Sequence, residues 1–221
     1  MKRICSIAMA GIIVGLFAVN SMALDMSAGV KGGLAMASMT GADAAPPAGA
    51  EKSMLLGANV GGIFNVNFSP IFGLELDLMY SMKGMTWKAT SGDAKINFKG
   101  AYLDIPLLAK FIVPMEGAIK PVVYAGPSFG ILLSSKMNST GGGQDTTMDT
   151  KDHTKSLDFG LAAGVGAEIG AGPGNLLVDV RYTMGFSTTA KLTQAEIDAG
   201  DPVPELKTSV LSFMAGYAFK F

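Results

Sequence analysis

Cysteine, histidine and charge are all scarce in these 221 residues, and each scarcity removes a class of function. Cys5 is the only cysteine, so a disulfide framework, a thiol redox pair and a thiolate zinc site are excluded. His153 is the only histidine. It lies in a polar stretch with Asp145, Asp149 and Asp152, without the further nitrogen or sulfur ligands a transition metal wants and without calcium-loop spacing. No metal and no cofactor are expected. Lys and Arg number 17 against 18 Asp and Glu, which leaves no basic stripe for nucleic acid. Gly141-Gly142-Gly143 and the Gly160–Gly166 run lack the Lys-Ser/Thr pair and the strand-to-helix context of a phosphate-cradling loop.

Long apolar helical runs are also missing beyond the start. There, Lys2 and Arg3 precede an apolar stretch from Ile7 to Val19, and Ser21-Met22-Ala23 has the small-x-small form of a cleavage site. Residues 1–23 are therefore expected to be a Sec-type signal peptide cleaved near Ala23, and residues 24–221 to form one domain. Cys5 would leave with that segment. The mature chain would carry 15 basic and 18 acidic residues, a net charge of about −3. From Ser53 to Leu74 no residue is charged, a length that suits a membrane helix. Its interior Asn and Gly residues, its Ser69-Pro70 pair and its period-two apolar pattern argue for two strands and a turn.

What the sequence has in quantity is alternation. The final segment carries Leu211, Phe213, Tyr217, Phe219 and Phe221 on one parity, with small or polar residues on most of the places between. Period two means a strand with one apolar face, and a soluble protein would leave such a strand as an adhesive edge. Seven further segments of about 10–16 residues behave alike. They begin with a Gly/Ala-rich strand from Met26 to Met39 and continue with segments at Leu56–Phe68, Phe72–Lys83, Tyr102–Phe111, Pro121–Ser134, Leu157–Ile169 and Leu176–Phe186. Short connections (Ser69–Ile71, Pro114–Ile119, Ala171–Gly174) alternate with long polar ones (Thr40–Ser53, Gly84–Lys95, Lys136–Lys155, Ser187–Lys207). The expected fold is all-β: an eight-stranded, antiparallel, up-and-down transmembrane β-barrel with short periplasmic turns and four long extracellular loops. Pro106, Pro127 and Pro121 fall within strands, where each removes a ladder hydrogen bond.

Several segments resemble the porin-family outer-membrane β-barrel proteins of the OmpA and OmpX type. They are Phe72-Gly73-Leu74-Glu75-Leu76 leading to Tyr80-Ser81-Met82-Lys83-Gly84, Tyr102–Lys110 with its Asp104-Ile105-Pro106 core, Tyr124–Gly130, Asp158-Phe159-Gly160, Arg181-Tyr182 before Gly185, and the terminal Phe221. The resemblance implies a bacterial outer-membrane location and carries over no catalytic residue. It also implies that Tyr217, Phe219 and Phe221 form a C-terminal assembly signal read by the barrel-assembly machinery.

Strand parity turns Glu75, Asp77, Lys83, Asp104, Lys110, Asp158, Glu168, Asp179, Arg181 and Lys220 toward the lumen. An eight-stranded barrel is just wide enough for its own side chains to fill, so charges there must pair or meet water. Three readings follow: a plugged barrel with a structural or surface-interaction role, a narrow channel for ions or small polar solutes, and a membrane-embedded enzyme, the last being the least supported. Trp87, Tyr80, Tyr182 and Phe186 suit aromatic girdles at the membrane surfaces. The expected partners are outer-membrane lipid, the assembly machinery and an extracellular ligand at the loops, with the barrel a monomer that binds no nucleic acid.

Overall fold

A computed structural model describes residues 24–141, 144–192 and 204–221. The expected signal segment, and parts of two expected loops (142–143 and 193–203), lie outside the described residues.

Eight long strands form a closed antiparallel ring. They are β1 (Asp25–Thr40), β3 (Leu55–Asn67), β4 (Phe72–Ala89), β5 (Lys95–Ile112), β6 (Ile119–Gly141), β8 (Leu157–Ala171), β9 (Gly174–Gly185) and β10 (Lys207–Lys220). Two short strands stand outside the ring: β2 (Ala50–Ser53) on the edge of β4, and β7 (Gln144–Asp149) folded back on β6. Each long strand pairs with its sequence neighbours, and β10 closes on β1 from Ser27↔Lys220 to Thr40↔Lys207. Closure leaves no exposed edge in the ring, and in hydrocarbon every backbone group then finds its partner within the wall.

Paired residues followed around the wall give the tilt. From Gly33 the ladder runs through Asn59 and Ser81 to Tyr102; in the other direction it runs through Met214, Asp179, Gly166 and Val122 to Ile112. The two routes reach β5 ten residues apart, and that stagger tilts the strands roughly 40° from the barrel axis.

Parity sorts the side chains as the sequence predicts. Leu56, Val60, Leu76, Leu78, Val165 and Val178 face outward and are exposed, while Asn59, Asn65, Glu75 and Asp77 on the same strands or their neighbours are buried inside. Outward aromatics gather at the two ends. Phe72 packs on Phe111 and Phe64 approaches Phe221 near the short turns, whereas Phe129, Phe159 and Phe186 form a row toward the loops. The Ser53–Leu74 stretch is two strands joined by a turn, in which the Ser69 hydroxyl accepts from the backbone N–H of Ile71 and Phe72.

Two features depart from expectation. The Gly84–Lys95 loop is largely strand: β4 and β5 stay paired out to Lys88↔Lys95, and β6 continues to Gly141. Beyond the hydrocarbon an outward face need not be apolar, so the ladder continues while its alternation disappears. The in-strand prolines meet a local remedy. Pairing between β5 and β6 stops after Pro106↔Ser128 and resumes at Ala109↔Ala125, so Pro106 and Pro127 share one interruption. A β-bulge at Ala101/Tyr102 lies farther along the same ladder.

The seam between β1 and β10 has no room for side chains at Gly29, Gly33 and Gly216; a Cβ added at Gly33 would collide with the Phe213 carbonyl. We expect Gly33→Val to prevent closure. At Gly62 the nearest atom to an added Cβ is 3.8 Å away, so Gly62→Ala should close normally. Gel mobility before and after boiling separates the two outcomes: the first variant loses the fast-migrating folded band and the second keeps it.

Candidate functional site: a layered charge network in the lumen

Glu75, Asp77 and Lys83 alternate along β4 with outward Leu76, Leu78 and Tyr80, so one strand delivers three charges to the interior. Asp179 and Arg181 come from β9, Asp104 and Lys110 from β5, and Asp158 and Glu168 from β8. All nine side chains are buried.

They form three tiers. In the middle tier Arg181 donates to Asp77 (2.7 Å) and Glu75 (3.2 Å), and Lys31 pairs with Glu75 (2.8 Å) and Asp179 (3.0 Å). The Tyr124 hydroxyl donates to Asp179 at 2.5 Å and accepts from Arg181 Nε at 3.4 Å. Toward the loops, Lys83 bridges Asp104 (2.9 Å) and Asp158 (3.0 Å), and its ammonium sits 4.8 Å from the centre of the Tyr102 ring. Toward the turns, Lys110 reaches Glu168 (2.6 Å) and the Asn65 carbonyl oxygen (2.8 Å), while Asn175 donates to the other oxygen of Glu168.

Six of these buried groups are carboxylates (Glu75, Asp77, Asp104, Asp158, Glu168, Asp179) and four are cations (Lys31, Lys83, Lys110, Arg181). Hydroxyl and amide donors compensate the difference. Thr208 and Ser187 both donate to Asp158, Tyr124 donates to Asp179, and Asn175 donates to Glu168. Space for the tiers comes from glycine. A Cβ at Gly130 would stand 2.7 Å from Asp104 Oδ1 and 3.3 Å from Lys83 Nζ, and one at Gly164 would press on the Tyr124 ring. The Gly160–Gly166 run is thus a strand that leaves room for large lumenal side chains.

Cavities interrupt the interior among the described residues. Between the middle and loop-side tiers lies one of about 20 Å³, lined by Asn59, Ser81, Asp104, Ser128, Arg181 and Thr183 among others. Asn59 lines that cavity, and its Oδ1 is buried without a hydrogen-bond partner, as is Oδ1 of Asp77. A polar pocket of that size accommodates a single water. A vestibule of about 340 Å³ opens at the turn end, lined by Asp25, Asn67, Lys120, Glu168 and Lys220. A third cavity, of about 230 Å³, lies at the loop end.

Two sequence expectations are corrected. Lys220 is on the inward parity but occupies the last position of β10, past the closed section; it is exposed at the vestibule and outside the network. Trp87 does not stand in a lipid-facing girdle. It lies on the inward parity near the loop end of β4, lining the interior and edge-on to Phe98 at 5.0 Å. Lys31 and Tyr124 went unread. Lys31 is flanked in the ladder by Gly61 and Gly216, and glycine on both sides of a charged residue is a signal of a long side chain crossing a narrow lumen. At the C-terminal segment, Tyr217 donates to the Ala171 carbonyl and packs on Phe219, and the Phe221 amide donates to the Met26 carbonyl.

A family model described as "Outer membrane protein beta-barrel domain" matches residues 17–191. No curated protein matches the sequence. Among solved structures the chain is similar to Neisserial surface protein A (16% identity, 88% of this chain, 97% of that one, TM-score 0.44). It is also similar to OprG from Pseudomonas aeruginosa (16%, 88% and 95%, 0.47) and to Ail, the attachment invasion locus protein of Yersinia pestis (13%, 88% and 99%, 0.42).

Arg181 carries two of the ion pairs in the middle tier. Removing one member of a buried pair strands the other, at a cost of about 3–5 kcal/mol, whereas replacing both with apolar residues is far milder. Arg181→Met is therefore expected to destabilise the barrel by about that amount, and Arg181→Met with Asp77→Leu to recover most of it. Urea unfolding from lipid vesicles, followed by circular dichroism, measures both.

Proposed function

The chain belongs to the outer-membrane protein β-barrel domain family, and on that premise we propose that it is a closed, non-enzymatic barrel of the bacterial outer membrane with a structural or surface-interaction role. The observation that carries this reading is the tiered network. Three cross-lumen sets of ion pairs, with about 20 Å³ of space between two of them, support a lumen filled by its own side chains. Each set joins strands that are not neighbours: Lys31 of β1 reaches Glu75 two strands away on β4, Lys83 of β4 reaches Asp158 three away on β8, and Lys110 of β5 reaches Glu168 two away on β8, while Arg181 of β9 reaches Asp77 on β4, directly opposite in the ring. Such cross-links brace the wall and disfavour a slip of strand register. With the lumen filled, the loop end is the surface left for an extracellular partner. The C-terminal strand is the segment assigned to the assembly machinery, and signal cleavage near Ala23 belongs to the same reading.

A channel is the alternative, and one observation favours it: vestibules flank the network at both ends, so rearrangement of the charged side chains alone would join them.

Planar-bilayer recording distinguishes the two. The folded protein should show no sustained conductance, while Lys31→Ala with Arg181→Ala should open a small, steady one. Sustained conductance in the unmodified protein would establish the channel. For the C-terminal strand, Phe221→Ala is expected to lower the amount of barrel reaching the outer membrane several-fold without changing the heat-modifiable gel shift of the molecules that arrive. Membrane fractionation with immunoblotting reads the first quantity and the gel the second; normal membrane levels would count against the assignment.

A further inference from the structure

Past the apolar band, β2, β4, β5, β6 and β7 stay side by side as a sheet whose outer face carries charge that the lumen does not use. That face is continuous, by parity, with the lipid-facing side of Tyr80 and Leu103, and the register places four lysines on it. Lys88 stands directly across from Lys95, and Lys99 directly across from Lys136. Lys88, Lys95 and Lys136 are exposed; Lys99 is half-buried and also borders the loop-end cavity. Between the two pairs runs an uncharged row of Thr86, Asn97 and Asn138. Carboxylates on this face stand on the flanking strands: Glu51 across from Lys88, Asp149 across from Lys136, and Asp145 across from Thr140. Oδ1 of Asp149 accepts from the Lys151 amide. Among the described residues, none of the four lysines forms an ion pair.

Like charges directly across a ladder, with Cβ atoms about 4.5–5.5 Å apart, are destabilising. An anion seated between two such ammonium groups reverses the sign of the interaction. Height along the strands selects the anion. Lys99 and Lys136 stand about 10–13 Å along their own strands from Leu103 and Leu133, where hydrocarbon gives way to headgroups. Lys95, with Lys88 beside it, stands about 13 Å farther along β5. We infer that this lysine face binds the headgroup of a phosphate-bearing lipid in the leaflet at the loop end, with one phosphate held by Lys99 and Lys136 and a second by Lys88 and Lys95. Lysine suits the role because its apolar stem lies along greasy surface while its ammonium reaches the polar layer. The same strands supply the rest of a lipid's complement: Tyr80, Ile131 and Leu133 are exposed directly below and meet the acyl chains. This assignment rests on the reading of the chain as an outer-membrane barrel, and whether each variant folds as one is measured separately from binding.

The folded protein in detergent micelles is titrated with diphosphoryl lipid A, with its dephosphorylated form and with inorganic phosphate, and bound molecules are counted by native mass spectrometry. The diphosphoryl lipid should bind at least ten-fold more tightly than the dephosphorylated one, and an equal concentration of inorganic phosphate should leave its complex intact. Lys95→Gln with Lys99→Gln removes one lysine from each pair and should weaken binding of the diphosphoryl lipid at least ten-fold. Lys120→Gln with Lys220→Gln, at the turn end, should leave it unchanged. Both variants keep every backbone bond of the ladder, so the heat-modifiable gel shift should persist; should the first not fold, Lys88→Gln with Lys136→Gln makes the same test. Equal affinity for the two lipid forms, or an equal loss in the turn-end variant, would overturn the lysine face as a headgroup site. Displacement of the lipid by an equal concentration of inorganic phosphate would overturn a lipid as its occupant.

Discussion

Hydrocarbon offers no hydrogen bonds, and the architecture of this chain follows from that one deficit. Backbone amides that cross the membrane must pair with one another, and the closed ring from β1 round to β10 is how they do so. Once the wall is a closed sheet, period-two geometry leaves each residue two destinations, lipid or lumen. Leucine, valine and phenylalanine take the first, and all the charge in the spanning section must take the second. With eight strands the second destination is too narrow for bulk water. Buried charge is therefore forced by the wall, and ion pairing is forced by the burial.

That chain of constraint gives the tiers their composition. Carboxylates outnumber cations in the lumen, and the surplus is met by Tyr124, Thr208, Ser187 and Asn175, short-range donors that add no charge. Long side chains need room to cross, and glycines beside them supply it: Gly61 and Gly216 flank Lys31, and Gly130 faces the Lys83 pair. Abundant glycine and scarce charge, which look unrelated in the composition, are two sides of one packing problem.

The eight strands, their order and the inward parity of nine charged residues could be read directly, because membrane contact imposes a strict alternation. The reading failed where that contact ends. Residues 84–88 and 95–99 remain paired as strand, yet outside lipid neither face must be apolar, so the ladder left no period for the eye to follow. Lys220 failed for a related reason: parity gives direction, and height along the axis decides whether a lumenal side chain is enclosed. Lys31 was hidden among residues so small that its strand shows little contrast between faces. Tyr124, set between Val123 and Ala125, reads as one more apolar residue until the ring places its hydroxyl beside Asp179. Contacts such as Arg181 to Asp77 join residues 104 positions apart, and only the register fixes them.

The β1–β10 seam has a kinetic meaning as well as a geometric one. Gly33 meets Met214 across it, so the contact that completes the wall joins nearly the two ends of the described domain. Local hairpins can form early, but contacts of such sequence separation are slow to arrive. Until the last strand docks, any sheet the chain has built carries two raw edges and half-assembled ion pairs. The pairing of β10 with β1 is therefore the contact on which the closure of every other strand in the ring depends.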